Sequence, residues 1–148
     1  MSWQLYAAFD VLGEPKGQPR PRAFYNKKLG RAAVYDSATA EGWKGSVALA
    51  FREHRPAEPF DCPIKFGITF FFPRPSRLLR KKDPDGVIPH TTKPDVDNAT
   101  KAVLDALTEI GMWRDDSLVV SLTAEKYYAA RGQASGALIQ IFTHKEGS

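Results

Sequence analysis

Apolar and polar positions alternate most cleanly over residues 63–72, where Ile64, Phe66, Ile68, Phe70 and Phe72 share one face of a period-two pattern. This predicts a strand with one buried face. Aromatic and β-branched content predicts a first strand over residues 3–11 and a short one over 32–35. Beyond them Ala40, Trp43, Val47, Ala50 and Phe51 recur at helical spacing and predict a helix over 37–54. Ser37 or Thr39 would cap its start, and Arg55-Pro56 ends it. A second helix is predicted to open at Asp97-Asn98, with Ala99, Ala102, Val103, Ala106, Leu107 and Ile110 as its buried stripe. Gly111 stands where a C-terminal glycine belongs. Residues 117–128 and 136–143 read as two strands, expected to form a hairpin across Ala-Arg-Gly-Gln-Ala-Ser. This order of elements predicts an α+β (mixed α/β) fold, one mixed sheet with two helices packed on it.

Two stretches break the pattern. Residues 13–31 carry Gly-Glu-Pro-Lys-Gly-Gln-Pro-Arg-Pro-Arg, and residues 73–94 are rich in proline and charge. Both read as long loops, the second as a mobile surface loop of a length that is usually functional. The 148 residues suit one domain spanning 1–148. A single cysteine, Cys62, excludes an intramolecular disulfide and a Cys-rich zinc module. No apolar run is long enough for a membrane helix, and the N-terminus lacks a signal-peptide pattern, so a cytoplasmic protein is expected.

Charge adds more than composition does. The net +4 is only mildly basic, but it is unevenly spread. Lys16, Arg20, Arg22, Lys27, Lys28 and Arg31 form one acid-free run, and Arg74, Arg77, Arg80, Lys81 and Lys82 form another. The acids Asp95, Asp97, Asp105, Glu109, Asp115 and Asp116 gather in a separate stretch. Basic arms flanking an acidic centre suit a phosphate-bearing polymer.

Within that centre, Asp95 and Asp97 would point the same way if the segment were extended. Two carboxylates aimed at one point repel unless a cation lies between them, and hard oxygen donors suit Mg²⁺ or Mn²⁺. Lys101 stands one helical turn beyond Asp97. The helix between Asp97 and Asp115-Asp116 would rise roughly 20 Å. One chain therefore needs a returning strand, or a dimer mate, to bring either later carboxylate near the pair. Two acids or more, a lysine and basic arms suit metal-assisted phosphodiester hydrolysis. The plainer alternative is a helix cap with solvated neighbours. An EF-hand fails because Ala99, Thr100 and Ala106 occupy positions that need Asp or Asn, Gly and Glu. His54, His90 and His144 have no metal-ligand spacing.

The segment from Lys93 to Tyr128, with its Asp-x-Asp-Asn, its Lys-Ala-x-x-Asp-Ala-Leu helix, and an Asp-Asp opening a strand, resembles the core of the RusA-type Holliday-junction resolvases. The resemblance implies that Asp95, Asp97 and Asp116 bind metal, with Asp115 as an auxiliary, and that Lys101 is the functional lysine of the helix. It implies a homodimer that uses Mg²⁺ or Mn²⁺ to cut four-way DNA junctions by paired nicks. Lys16, Arg20, Arg22, Lys27, Lys28, Arg31, Arg80, Lys81 and Lys82 are then the candidate DNA-binding residues. The alternative is a branched-DNA-binding protein of the same fold without nuclease activity.

Overall fold

The computed structural model describes residues 2–18, 22–26, 31–35 and 38–144, with side chains from 2–18 and 40–144. The first strand, β1 (Trp3–Leu12), leads through a loop to a separate antiparallel pair, β2 (Arg22–Asn26) and β3 (Arg31–Tyr35). Helix α1 (Ala38–Phe51) runs into one 3₁₀ turn, Arg52–His54. Strand β4 (Ile64–Phe72) precedes a long connection that holds a 3₁₀ turn, Ser76–Leu78, and the two-residue strand β5 (Ile88–Pro89). Helix α2 (Val96–Glu109), a 3₁₀ turn at Asp116–Leu118, β6 (Val119–Tyr128) and β7 (Gly136–His144) complete the order.

The main sheet has five strands in the order β1-β7-β4-β6-β5. β4 and β6 are parallel and joined through α2, a strand–helix–strand unit, while β7 runs antiparallel to both β1 and β4. The alternation read from β4 holds: Ile64, Phe66, Ile68, Phe70 and Phe72 are all buried, and the residues between them are half-exposed. They pack against Trp43, Val47 and Phe51 of α1 and against Ala99, Val103, Ala106 and Leu107 of α2 in one hydrophobic cluster. This is the expected mixed sheet with two helices.

Three expectations are corrected. β6 and β7 do not form a hairpin, because β4 lies between them. Ala137, Ile139 and Ile141 of β7 are buried, and a strand with that much apolar surface gains more from two neighbours than from a sheet edge. Strand β2 and the first residue of β3 stand where residues 13–31 were expected to be loop throughout. The connection 73–94 is not a free loop. Arg74 donates to the carbonyls of Leu78 and Pro84, and Arg131 donates to those of Leu79, Arg80 and Asp83 while its Nε pairs with Asp85 at 2.9 Å. These guanidiniums replace the backbone ladder that the proline-rich segment cannot make.

α2 ends as its sequence predicts. Gly111 has φ +85°, its N–H reaches the Thr108 carbonyl at 3.0 Å, and the Met112 N–H reaches the Leu107 carbonyl at 3.1 Å. That pair of bonds is a Schellman cap. Trp113 is buried and donates its indole N–H to Thr108 Oγ1 at 2.7 Å.

His90 closes the other end of the connection. It is 6% exposed, stacks on Phe72 with centroids 3.9 Å apart and meets the edge of Tyr128 at 4.7 Å. Its Nε2 lies 3.3 Å from Thr92 Oγ1, which lies 3.2 Å from the Tyr128 hydroxyl. Burial, and secondarily the charge of Lys126, hold the His90 pKa below its ordinary 6.5.

This packing makes stability depend on pH. Below pH 6.5 the unfolded chain binds a proton at His90 that the native chain resists, so stability falls as pH drops through that value. His90→Phe keeps the stack and should flatten this part of the curve, as urea unfolding at about pH 7.5 and about pH 5.5 would measure. Equal pH slopes in both proteins would contradict it. Arg131→Ala should cost about 0.5–1.5 kcal/mol through the lost hydrogen bonds and expose the Arg80-Lys81-Lys82 segment to trypsin, read by limited proteolysis.

Candidate active site

The helix that carries the acidic motif begins two residues earlier than an Asp97 cap would place it. Asp95, not Asp97 or Asn98, is the N-cap residue, with φ −64° and ψ 151°. Its carbonyl accepts the Ala99 N–H at 2.9 Å, the first bond of the helix. Its carboxylate caps nothing and stays exposed, 3.7 Å from the Lys93 ammonium. Asp97 therefore sits inside the first turn, where Oδ1 accepts the Asn98 N–H at 2.9 Å. The segment is therefore not extended throughout: Asp95 is extended, while Val96 and Asp97 are helical. Both carboxylates nonetheless stand at the positive end of the helix dipole, which favours anions.

Around Asp95 the chain builds an open groove of about 540 Å³, lined by Thr91, Thr92, Lys93, Asp95, Val96 and Lys126. The N-terminal loop closes on the same helix end. Gln18 donates its N–H to the Asn98 carbonyl at 3.2 Å, and a Cβ on Gly17 would lie 2.4 Å from Asn98 Nδ2. A side chain there would have to displace the Asn98 amide. Lys16, next in line, pairs with Glu14 at 3.0 Å. Arg20, Lys27 and Lys28, and the side chains of Arg22 and Arg31, lie outside the described residues.

Lys101 lies one turn up α2 and pairs with Asp105 at 3.4 Å rather than with Asp97. Exposed pairs of this kind are weak, so its ammonium is available to another anion. Asp115 accepts the Ser117 N–H at 3.1 Å and so caps the 3₁₀ turn that contains Asp116. Hydrogen bonding from the Ser117 hydroxyl, and secondarily from its N–H, lowers the Asp115 pKa.

Asp116 is distant from Asp95 and Asp97 within one chain. Phe60, just before β4, binds the Met112–Arg114 segment on both sides, and Ile64 at the start of β4 pairs with Val119. Asp116 thus stands at the beginning of the parallel strands. Asp95 stands at their other end, where Lys126 near the end of β6 holds the Pro94 carbonyl at 2.7 Å. Between the two runs α2, whose 14 residues rise roughly 20 Å. Among the described residues, no three His, Cys, Asp or Glu side chains are close enough to hold a metal ion. The donors at the groove are hard carboxylate oxygens, which fit Mg²⁺ or Mn²⁺ in kind but are too few in one chain to close a site.

The basic segment divides in two. Arg74 is consumed by carbonyls, and Arg77 donates to the Tyr128 hydroxyl at 3.2 Å. Arg80, Lys81 and Lys82 are exposed. Arg80 is loosely paired with Asp83 at 3.7 Å.

Lys126 and His90 are the residues near the groove that sequence reading missed. Lys126 was legible only as one position of a predicted strand. Its pairing with Phe70 puts it on the helix-bearing face of the sheet, where the β4 pattern buries apolar residues.

Known proteins resemble this chain over most of its length. A protein of Bacillus subtilis (strain 168) called uncharacterized protein YqaN is 36% identical over 126 residues, 82% of this chain and 87% of that protein. The crossover junction endodeoxyribonuclease rusA of Lactococcus phage r1t is 29% identical over 104 residues, 68% of this chain and 72% of that protein. The crossover junction endodeoxyribonuclease RusA of Escherichia coli (strain K12) is 27% identical over 114 residues, 77% of this chain and 80% of that protein. The model of the family described as Endodeoxyribonuclease RusA matches residues 13–141, which span the groove, both helices and the start of β6 alike. The chain belongs to the RusA endodeoxyribonuclease family.

Proposed function

We propose that this protein is a divalent-metal-dependent endodeoxyribonuclease that resolves four-way DNA junctions as a homodimer in the cytoplasm. Asp95 and Asp97 carry the reading, because both open α2 as exposed carboxylates that no arginine among the described residues neutralises. The named endonucleases among its relatives support the reaction class.

Asp95, Asp97 and Asp116 would hold Mg²⁺ or Mn²⁺, with Asp115 as a supporting carboxylate. Bound there, the ion supplies a more acidic water and neutralises charge on the scissile phosphate. Lys101 would exchange Asp105 for that phosphate and position it. The products expected are 5′-phosphate and 3′-hydroxyl ends.

Because Asp116 and the Asp95–Asp97 pair occupy opposite ends of one chain, the complete site is proposed to form between two protomers. The outer edge of β6 supports this. β5 pairs only with Tyr127 and Tyr128, and Val120 and Leu122 are 59% and 51% exposed. An isologous antiparallel meeting along that edge would bring the start of one β6 toward the end of the other. The partner's Asp116 would then approach Asp95 and Asp97, twice per dimer, which suits two opposed nicks. Arg80, Lys81 and Lys82, with Lys16, Arg20, Arg22, Lys27, Lys28 and Arg31, would bind phosphates, so junction shape rather than base identity would guide binding.

Cleavage of a synthetic four-way junction with and without Mg²⁺ tests the function. Asp97→Asn should keep junction binding and lose cleavage. Mixing Asp97→Asn with Asp116→Asn chains tests the shared site: the mixed dimer regains one intact site and should nick one strand. No recovery in a verified mixed dimer would contradict the shared site. Normal cleavage by Asp97→Asn alone would contradict the nuclease assignment.

Salt dependence checks the basic segment. Changing Lys81 and Lys82 together to Ala should lower the slope of log affinity against log salt by about one unit for each phosphate no longer neutralised. An unchanged slope would remove this segment from the interface.

A further inference from the structure

The ammonium of Lys126 is directed at backbone rather than at an acid. Its Nζ donates to the Thr92 carbonyl at 2.6 Å and to the Pro94 carbonyl at 2.7 Å. The two acceptors bracket Lys93 and directly precede Asp95. Two of the three protons of the ammonium are thus committed to one short stretch of backbone. No ion pair between Lys126 and an acid is present among the described residues.

The location is electrostatically costly. The ammonium stands beside the last carbonyl before α2, at the helix end where cations are disfavoured. His90 is packed against the same strand end, and Lys126 already depresses its pKa. Lys93 is a second basic residue lining the groove beside Lys126. The groups around Lys126 are therefore His90, Lys93, a helix N-terminus and the Asp95 carboxylate. Charge-assisted hydrogen bonds of this kind are stronger than neutral ones and hold their acceptors firmly.

The segment it fixes has little else to hold it. Residues 91–93 and 95–97 are exposed, and Asp95 makes no capping bond that would set its side chain. Behind them, His90 binds through its N–H to the Lys126 carbonyl at 3.2 Å, and Thr92 meets His90 and Tyr128. β6 therefore holds this connection with the backbone and the side chain of one residue. We propose that Lys126 is a positioning residue of the active site: its ammonium clamps the Thr92 and Pro94 carbonyls and thereby sets the Asp95 carboxylate at the geometry that metal binding requires. This inference rests on the nuclease reading.

The test compares the full-length wild type, Lys126→Met, Lys126→Arg and Asp97→Asn on a four-way junction over a series of Mg²⁺ concentrations. Junction affinity without divalent ion should stay near the wild-type value in all four. Lys126→Met should lower kcat about 10²-fold, because a shift near 1 Å in a catalytic group costs that much. It should also raise the Mg²⁺ concentration for half-maximal rate while leaving KM for the junction little changed. Lys126→Arg, which keeps two donors, should recover much of the loss. A folded Lys126→Met protein with wild-type kcat and Mg²⁺ dependence would overturn the proposal. So would an equal loss in Lys126→Arg, and so would a loss confined to KM. If Lys126→Met does not fold, Lys126→Gln is read by the same criteria. Wild-type inactivity would instead sink the nuclease reading, which separates the two failures.

Discussion

Burial of the α2 stripe against the sheet governs where everything else lies. Ala99, Ala102, Val103, Ala106 and Leu107 are covered only if the helix runs back across the strands it connects. β4 and β6 then become parallel neighbours, and α2 starts at their C-terminal ends. Open sheets of this kind present their ligand sites at that end, just outside the strands. The acidic motif is delivered there by topology, before any consideration of what it binds. The same constraint sends Asp116 to the far end and makes the question of a second protomer unavoidable.

Much of this was readable in the residues. The period-two run of β4 and the three- and four-residue spacing of both helices fixed their types, because each carries one apolar face at a spacing that no other element satisfies. Gly111 gave the end of α2 through a φ that other residues resist. The start of α2 was misplaced because Val96 is apolar yet 37% exposed, so periodicity did not assign it to the helix. The order of strands was not legible either. Nothing local distinguishes a strand that pairs with its predecessor from one that crosses over it, and β7 was expected beside β6 when its partners are β1 and β4.

The candidate site shows the same division. Carboxylates and lysines advertise themselves by type, so Asp95, Asp97 and Lys101 stood out. Lys126 did not, because its role depends on a register between β4 and β6 that is set far from it. The basic run at 74–82 illustrates the converse. Its charges looked equivalent in sequence, but Arg74 serves the fold through carbonyl bonds, while Lys81 and Lys82 face solvent. A planar guanidinium makes several directed bonds at once, which suits that bracing of turns.

The placement of β7 carries a consequence for synthesis. It is the strand between β1 and β4, yet it follows both of them in the chain by many residues. On the ribosome, β1 emerges early and must wait without a neighbour until Gly136–His144 has left the exit tunnel. Its exposed backbone, and one flank of β4, would be open to the wrong partner throughout that interval. Chaperone engagement of the nascent chain should therefore peak late in translation and fall away when β7 arrives.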